Sequence, residues 1–224
     1  MSKNTFIIPR VKICCISSIE EAKMAINYGA HALGLVANMP SGPGVISEDH
    51  IAKIARYIPP TVTSVLLTSH RSAEEIITQH QICRTNAIQI CDDLKTGSHE
   101  DLRQNLPGIS LIQVIHISGS ESINKARNIA SYVDAILLDS GNKSDHKIEL
   151  GGTGRTHDWS VSAEICRQVD VPVFLAGGLN PDNVAAAIKQ VRPFAVDVCS
   201  GVRSNELLDE NKLAAFIENV NSSM

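Results

Sequence analysis

Eight short apolar runs recur along the chain, each followed by a longer stretch of helical periodicity. This alternation constrains the fold more than any single motif. The runs are "VKICCI" from Val11, "HALGLV" from His31, "TVTSVLLT" from Thr61, "AIQIC" from Ala87, "SLIQVIHI" from Ser110, "AILLDS" from Ala135, "VPVFLAG" from Val171 and "AVDVCS" from Ala195. Near-continuous Val/Ile/Leu runs suit parallel strands covered by helices. The intervening periodicity predicts helices near 19–28, 47–57, 72–84, 98–105, 120–130, 160–168, 181–190 and 208–220. Eight β–α units in 224 residues predict a closed (β/α)8 TIM barrel, a fold that commonly takes about 200–250 residues. An open flavodoxin-like sheet needs fewer units and comes second. The expected organisation is one barrel domain over 1–224, with 1–10 as a polar leader.

Composition excludes several classes of function. Hydrophobic residues make up 43% and charged residues 20%, with net charge −4, as expected of a soluble globular chain. No Lys/Arg run marks a nucleic-acid surface. The apolar runs are strand-sized, so no membrane span is predicted. The opening "MSKNTFIIPR" lacks the long apolar core of a secretory signal. Six cysteines occur without a CxxC pair, and four of them fall inside apolar runs. That pattern argues against a zinc site and against a disulfide framework, and so for a reduced, cytoplasmic protein.

Two connections break the rhythm: "ANMPSGPGVIS" at 37–47 and "GNKSDHKIELGGTGRTHDW" at 141–159. Both follow strands, which places them at the C-terminal rim, where such barrels keep their sites. Glycine-rich pieces cluster late, at "GGTG" (151–154), "AGGLNPDNV" (176–184) and "VDVCSGV" (196–202). Glycine lets backbone N–H groups approach an anion, and the loops after the last two strands form the recurrent phosphate site of these barrels. Plain turn chemistry is the competing reading. Asn180 and Pro181 read as an N-cap and first helical residue.

Several polar residues stand at or within strands. Asp139 closes the sixth run, as either a general acid with a burial-raised pKa or a turn-forming Asp. Cys14 closes the first run, as either a buried small hydrophobe or, with a modest pKa depression, a base. Lys12, two residues earlier on the same strand face, would favour the thiolate. Asp197 and Gln89 lie inside apolar strands and need partners or a ligand. His116 reads as a satisfied core or rim histidine, Asp158 as a helix N-cap, and His157 has no assignment. Cys83, Cys91, Cys166 and Cys199 read as core or rim residues.

Together these motifs resemble the phosphoribosylanthranilate isomerase family of tryptophan biosynthesis, from Val11 to about Phe216. "VKICCI" is similar to the family's Val-Lys-Ile-Cys-Gly-Ile, "GAHALGLV" to its second strand, and "AIQI" to its Val-Gln-Leu strand. "ILLDS" with "GGTGRTHDW", then "AGGLNPDNVAAAI" and "VRPFAVDVCSGV", resemble its acid-bearing strand, Gly-rich loop and last two units.

The resemblance implies a cofactor-independent Amadori rearrangement of N-(5'-phosphoribosyl)anthranilate to the aminoketose, with no metal. It implies Asp139 as general acid and Cys14 as general base, with Gly152, Gly154, Gly177, Gly178, Ser200 and Gly201 holding the phosphate. Lys12, Gln89 and Asp197 would line the substrate pocket. The expected partner is a small phosphosugar, not nucleic acid or membrane, and the chain is expected as a monomer or homodimer. Cys15 stands where the family has glycine. The family's Arg for the anthranilate carboxylate is absent from "MPSGPGVIS". Backbone N–H groups of Ser41, Gly42 and Gly44, or else Arg155 or Arg203, would have to replace it. Two other readings stay open: an isomerase of another phosphorylated sugar or aminosugar, and a non-catalytic phosphosugar-binding paralogue.

Overall fold

The structure is a computed structural model that describes residues 8–40, 42–140, 143–144, 147–148 and 157–223. Eight parallel strands close a barrel: β1 (Arg10–Ile13), β2 (Ala32–Val36), β3 (Thr63–Thr68), β4 (Ala87–Ile90), β5 (Ser110–His116), β6 (Ala135–Asp139), β7 (Val173–Leu175) and β8 (Ala195–Val198). Each pairs with its neighbours in sequence, and β8 pairs with β1 to complete the ring. A helix follows each strand: α1 (Ile19–Asn27), α2 (Glu48–Tyr57), α3 (Ala73–Cys83), α4 (His99–Asn105), α5 (Glu121–Ile129), α6 (Trp159–Gln168), α7 (Val184–Val191) and α8 (Glu210–Asn221). Two short antiparallel pairs, Lys143–Ser144 with Lys147–Ile148 and Arg203–Ser204 with Leu207–Leu208, follow β6 and β8. The fold is the (β/α)8 TIM barrel.

The alternation of side chains along each strand sorts the core into an inside and an outside. In β4, Ala87 belongs to the barrel interior, while Ile88 and Ile90 pack outward against the helices. The interior cluster uses small residues, among them Ala32, Ala87 and Ala135, alongside Val65, Ile112 and Leu137. Outside, one cluster joins β1, β2 and β8 to α1, α2, α7 and α8, and another joins β4–β6 to α3–α6.

Helix starts follow local chemistry. Ser18, Ser47 and Asp158 each accept a backbone N–H in the first turn of α1, α2 and α6. Ser98 and Asp101 form a reciprocal capping box at α4.

Three boundaries differ from the sequence expectation. β1 begins at Arg10, inside the expected leader, and ends at Ile13, so Cys14 and Cys15 lie just beyond it. Cys15 has φ +64, which no strand residue adopts. α7 begins at Val184 rather than at Pro181. The Asn180 side chain instead accepts N–H groups from Asp182 and Asn183 at 2.9 and 3.1 Å, closing a separate turn ahead of the helix.

Candidate active site

β1 and β8 meet at a buried ion pair. Lys12 and Asp197 are partners in register, and Lys12 Nζ donates to Asp197 Oδ1 at 2.9 Å. Burial opposes both charges and pushes the Asp197 carboxyl up, whereas at Lys12 the Asp197 carboxylate more than offsets burial and holds the ammonium above its ordinary range. A 2.9 Å contact between groups this buried is an ammonium–carboxylate pair. Removing one partner would strand the other charge, at a cost of about 3–5 kcal/mol.

Above this pair, a pocket opens among the loops at the C-terminal ends of the strands. Cys14, Cys15, Gln89, Asp139, Asp197, Gly177, Gly178, Cys199 and Ser200 line it, together with Gly42 and Pro43 of the loop after β2. Cys14 and Asp139 therefore face the same space from strands on opposite halves of the ring. Burial raises the Asp139 carboxyl, and the N–H of Ser140 donates to its Oδ1 at 2.8 Å. The Cys14 thiol moves the other way. A hydrogen bond from the Cys15 thiol, supported by the Lys12 ammonium, holds it below its ordinary value against the effect of burial. The same contact pushes Cys15 well up, so Cys15 is the protonated donor of the two. The pocket thus holds a carboxyl shifted toward its protonated form and a thiol shifted toward thiolate, the directions an acid–base couple requires.

The glycines are required by packing. A Cβ at Gly177 (φ +81) would lie 2.7 Å from Ser140 N, and one at Gly201 would lie 2.0 Å from Leu179 O. Gly178 (φ +67) continues the same left-handed turn. Ser200–Val202 forms a single 3-10 turn after β8. These contacts pack the loops after β6, β7 and β8 against one another; Gly177, Gly178 and Ser200 line the pocket, and Gly201 is not among its lining residues. Gly152 and Gly154 lie outside the described residues, as do Ser41 and Arg155.

The remaining expected residues divide. Gln89 donates from Nε2 to Cys91 Sγ at 3.8 Å, while its buried Oε1 has no partner among the described groups, leaving an acceptor at the pocket wall. Gly42 (φ +110) borders the pocket; Gly44 backs onto Cys15, where an added Cβ would lie 2.6 Å from Cys15 Cβ. Arg203 does not reach the pocket as a carboxylate ligand. Its guanidinium is buried on Glu21, with Nη1–Oε1 at 2.9 Å and Nη2–Oε2 at 3.1 Å. His116 is held by the Cys91 carbonyl at 3.1 Å. All six cysteines are free thiols, and burial pushes Cys83, Cys91 and Cys166 up to about 12.

Two residues escaped the sequence reading. Gly34 in β2 makes room for the thiol, since a Cβ there would lie 2.7 Å from Cys14 Sγ. Its glycine inside a strand run was the available signal. Cys199 stands beside Cys15 in the pocket wall, and nothing in its local sequence separates it from an ordinary core cysteine.

A family model described as N-(5'phosphoribosyl)anthranilate (PRA) isomerase matches residues 11–219. The chain belongs to the PRA isomerase family. It is 38% identical over 212 residues to the N-(5'-phosphoribosyl)anthranilate isomerase of Methanocella arvoryzae, covering 94% of this chain and 97% of that one. It is likewise 38% identical to N-(5'-phosphoribosyl)anthranilate isomerase 2 of Methanosarcina mazei, over 93% and 92% of the two chains. Among solved structures, phosphoribosyl anthranilate isomerase from Thermotoga maritima superposes with a TM-score of 0.79 at 32% identity, over 95% of this chain and 98% of that one. Another PRA isomerase, solved with reduced 1-(o-carboxyphenylamino)-1-deoxyribulose 5-phosphate, gives 0.76 at 31% identity over the same shares. Cys15 holds a left-handed φ, a conformation that a glycine takes without strain.

Proposed function

We propose that this protein catalyses the PRA isomerase reaction, the Amadori rearrangement of N-(5'-phosphoribosyl)anthranilate to its 1-deoxyribulose 5-phosphate aminoketose in tryptophan biosynthesis. The observation that carries the reading is one pocket lined by a buried carboxyl and a buried thiol whose pKa values move in opposite directions. Asp139 donates its proton to the ribose ring oxygen. The C1'–O bond breaks, and the anilino lone pair forms a C=N iminium. Cys14 thiolate then takes the C2' proton. The C–H electrons become the C1'=C2' bond, the iminium returns to an amine, and the resulting enolamine tautomerises to the C2' ketone. No cofactor enters this sequence.

The binding roles are part of the same proposal. Gly177, Gly178, Ser200 and Gly201 present backbone to the substrate phosphate, joined by Gly152 and Gly154. Gln89 Oε1 accepts from a ribose hydroxyl, and the Lys12–Asp197 pair sets the polarity of the floor. The anthranilate ring lies toward Met39, Gly42 and Pro43, with its carboxylate on backbone N–H groups of the Ser41–Gly44 loop. The proposal takes the enzyme as a cytoplasmic monomer or homodimer.

The test is turnover of freshly generated phosphoribosylanthranilate, followed by loss of its anthranilate-type fluorescence. Wild type turns over, and Cys14→Ala and Asp139→Asn each lower kcat by about 10²–10⁴-fold with a cooperative thermal transition retained. Either variant within a few-fold of wild type removes that residue's role. A second reading has one observation in its favour: no Arg side chain lines the pocket among the described residues. If folded wild type binds ribulose 5-phosphate but does not turn over the anthranilate adduct, the site serves a different phosphorylated sugar or aminosugar.

A further inference from the structure

Arg203 and Glu21 stand behind the pocket and are not among the residues that line it, yet Arg203 ties their ion pair to the carbonyls of the two residues that follow β1. Arg203 reaches both Glu21 oxygens through a forked pair, at 2.9 and 3.1 Å. Its Nη2 also donates to the Cys15 carbonyl and to the Cys14 carbonyl, the latter at 3.4 Å. Glu21 accepts from Ser17 N at 2.9 Å on the same turn and from Leu208 N at 2.8 Å across the barrel rim. Arg203 Nη1 donates to the Glu206 carbonyl at 2.7 Å. Both side chains are nearly inaccessible, at 6% and 9%. A buried ion pair contributes little net stability compared with apolar packing, so its presence calls for a role in geometry.

That geometry is unusual at the point being held. Cys15 is a non-glycine residue at φ +64. Left alone, a residue with a Cβ leaves this region, and strained backbone of this kind persists only where its surroundings over-determine it. The guanidinium bound to its carbonyl, and Gly44 closing against its Cβ, are those surroundings.

We infer that the Arg203–Glu21 ion pair is a positioning clamp for Cys14: by gripping the carbonyls of residues 14 and 15, it holds Cys15 in its left-handed turn and aims the Cys14 thiol into the pocket. The inference rests on Cys14 as the base and adds to it the device that sets its direction. The fork is essential. A planar guanidinium binds the two carboxylate oxygens through two separate nitrogens and still directs N–H groups at the peptide carbonyls; an ammonium offers its three N–H groups from a single atom and lacks that fork. The clamp joins α1 to the ribbon after β8, so it ties the first and last β–α units together at the site. Cys14 itself faces Lys12 and Asp197 from the floor, Asp139 and Cys91 from the strands, and Cys15 beside it, with Cys199 next to Cys15.

Two variants test the clamp. Arg203→Lys keeps the charge but loses the fork. Glu21→Asp keeps both charges and withdraws the carboxylate by one methylene, and it serves if Arg203→Lys does not fold. In each, kcat falls by about 10–100-fold while KM stays within about threefold, because the base is misaimed and the binding groups are untouched. The pH midpoint of Cys14 alkylation by iodoacetamide, assigned by tandem mass spectrometry, rises as Cys14 loses its thiol donor. A folded variant with lowered Tm, near-normal kcat and an unmoved alkylation midpoint would overturn the inference and leave the pair a structural bridge. The alkylation arm uses no substrate, so it still reports on the clamp if the substrate assignment fails. Cys14→Ala with wild-type turnover would show that the base assignment, rather than the clamp, is at fault.

Discussion

Space around the thiol is set by a single hydrogen atom on Gly34. A methyl there would lie 2.7 Å from Cys14 Sγ and 3.2 Å from both Cys14 Cα and Leu67 Cδ1, inside contact distance on three sides. The thiol is the most mobile of the three, so it is displaced first. Gly34→Ala is therefore expected to keep the barrel and lose kcat by about 10-fold or more, since a reacting group moved by an ångström can cost up to about 10²-fold. Turnover at the wild-type rate in a folded Gly34→Ala protein would place the reactive thiol elsewhere. The protonation states also belong to this scale. The proposed mechanism needs Asp139 protonated and Cys14 ionised. Burial raises Asp139, and the Cys15 hydrogen bond lowers Cys14, so each shift increases the fraction of molecules in the working state. The profile of kcat/KM against pH is expected to fall on both sides: in acid as the thiolate is protonated, in alkali as the carboxyl ionises. A rate that climbs with pH and never falls would remove Asp139 as the acid.

Helix ends show where the chain accepts local strain. Helix α3 ends on Arg84 at φ 55, ψ 44, a left-handed C-cap occupied by a residue with a Cβ. Its side chain makes only a 3.3 Å exposed bond from Nε to the Gln81 carbonyl. Glycine adopts this conformation freely and gives up part of that gain in unfolded-chain entropy. Arg84→Gly is expected to stabilise the protein by about 0.5–1 kcal/mol, seen as a raised urea midpoint with unchanged activity. A lowered midpoint would mean that the arginine stem matters more than the backbone. The contrast with Cys15 is instructive. Both residues are left-handed, but Arg84 sits at a solvent-exposed helix end, whereas Cys15 is gripped by a buried guanidinium at the site. α4, with seven residues, shows the opposite economy: the Ser98–Asp101 box satisfies N–H groups that so short a helix cannot otherwise bond.

Stability of the whole barrel is expected to carry the imprint of one half-buried histidine. His157 stands just before α6, with Nε2 2.6 Å from Ser162 Oγ, and desolvation lowers its pKa from 6.5 to about 4. In the unfolded chain it takes a proton below its ordinary value; in the folded chain it resists until about pH 4. Unfolding therefore takes up a proton in this interval, and stability falls as pH drops from about 6.5 toward 4, by roughly 2–3 kcal/mol in total. His157→Gln is expected to flatten Tm over that interval; an unchanged slope would show that other groups carry the acid sensitivity. The strand–helix alternation behind this barrel was legible because both periodicities are local, and outward Ile88 and Ile90 beside inward Ala87 keep the strand pattern visible. Asp139 and Cys14 stood out as candidates because polar residues at the ends of apolar runs are costly unless used, but the residues alone left a turn-forming Asp and a buried small Cys open, and the acid and base roles came from the family resemblance. Gly34, Cys199 and the Arg203–Glu21 clamp were not, and Arg203 was open as a substrate ligand until its carboxylate partner was seen. The sequence by itself thus determined the eightfold alternation, Asp139 at the end of its strand, and the glycines after β7 and β8, since each depends on neighbours a few residues away; Cys14 falls one residue beyond the strand end expected for it. Only the tertiary structure decided which way the base points, because that rests on Gly34, Gly44, Glu21 and Arg203, which lie far apart along the chain and meet only when the last strand closes on the first.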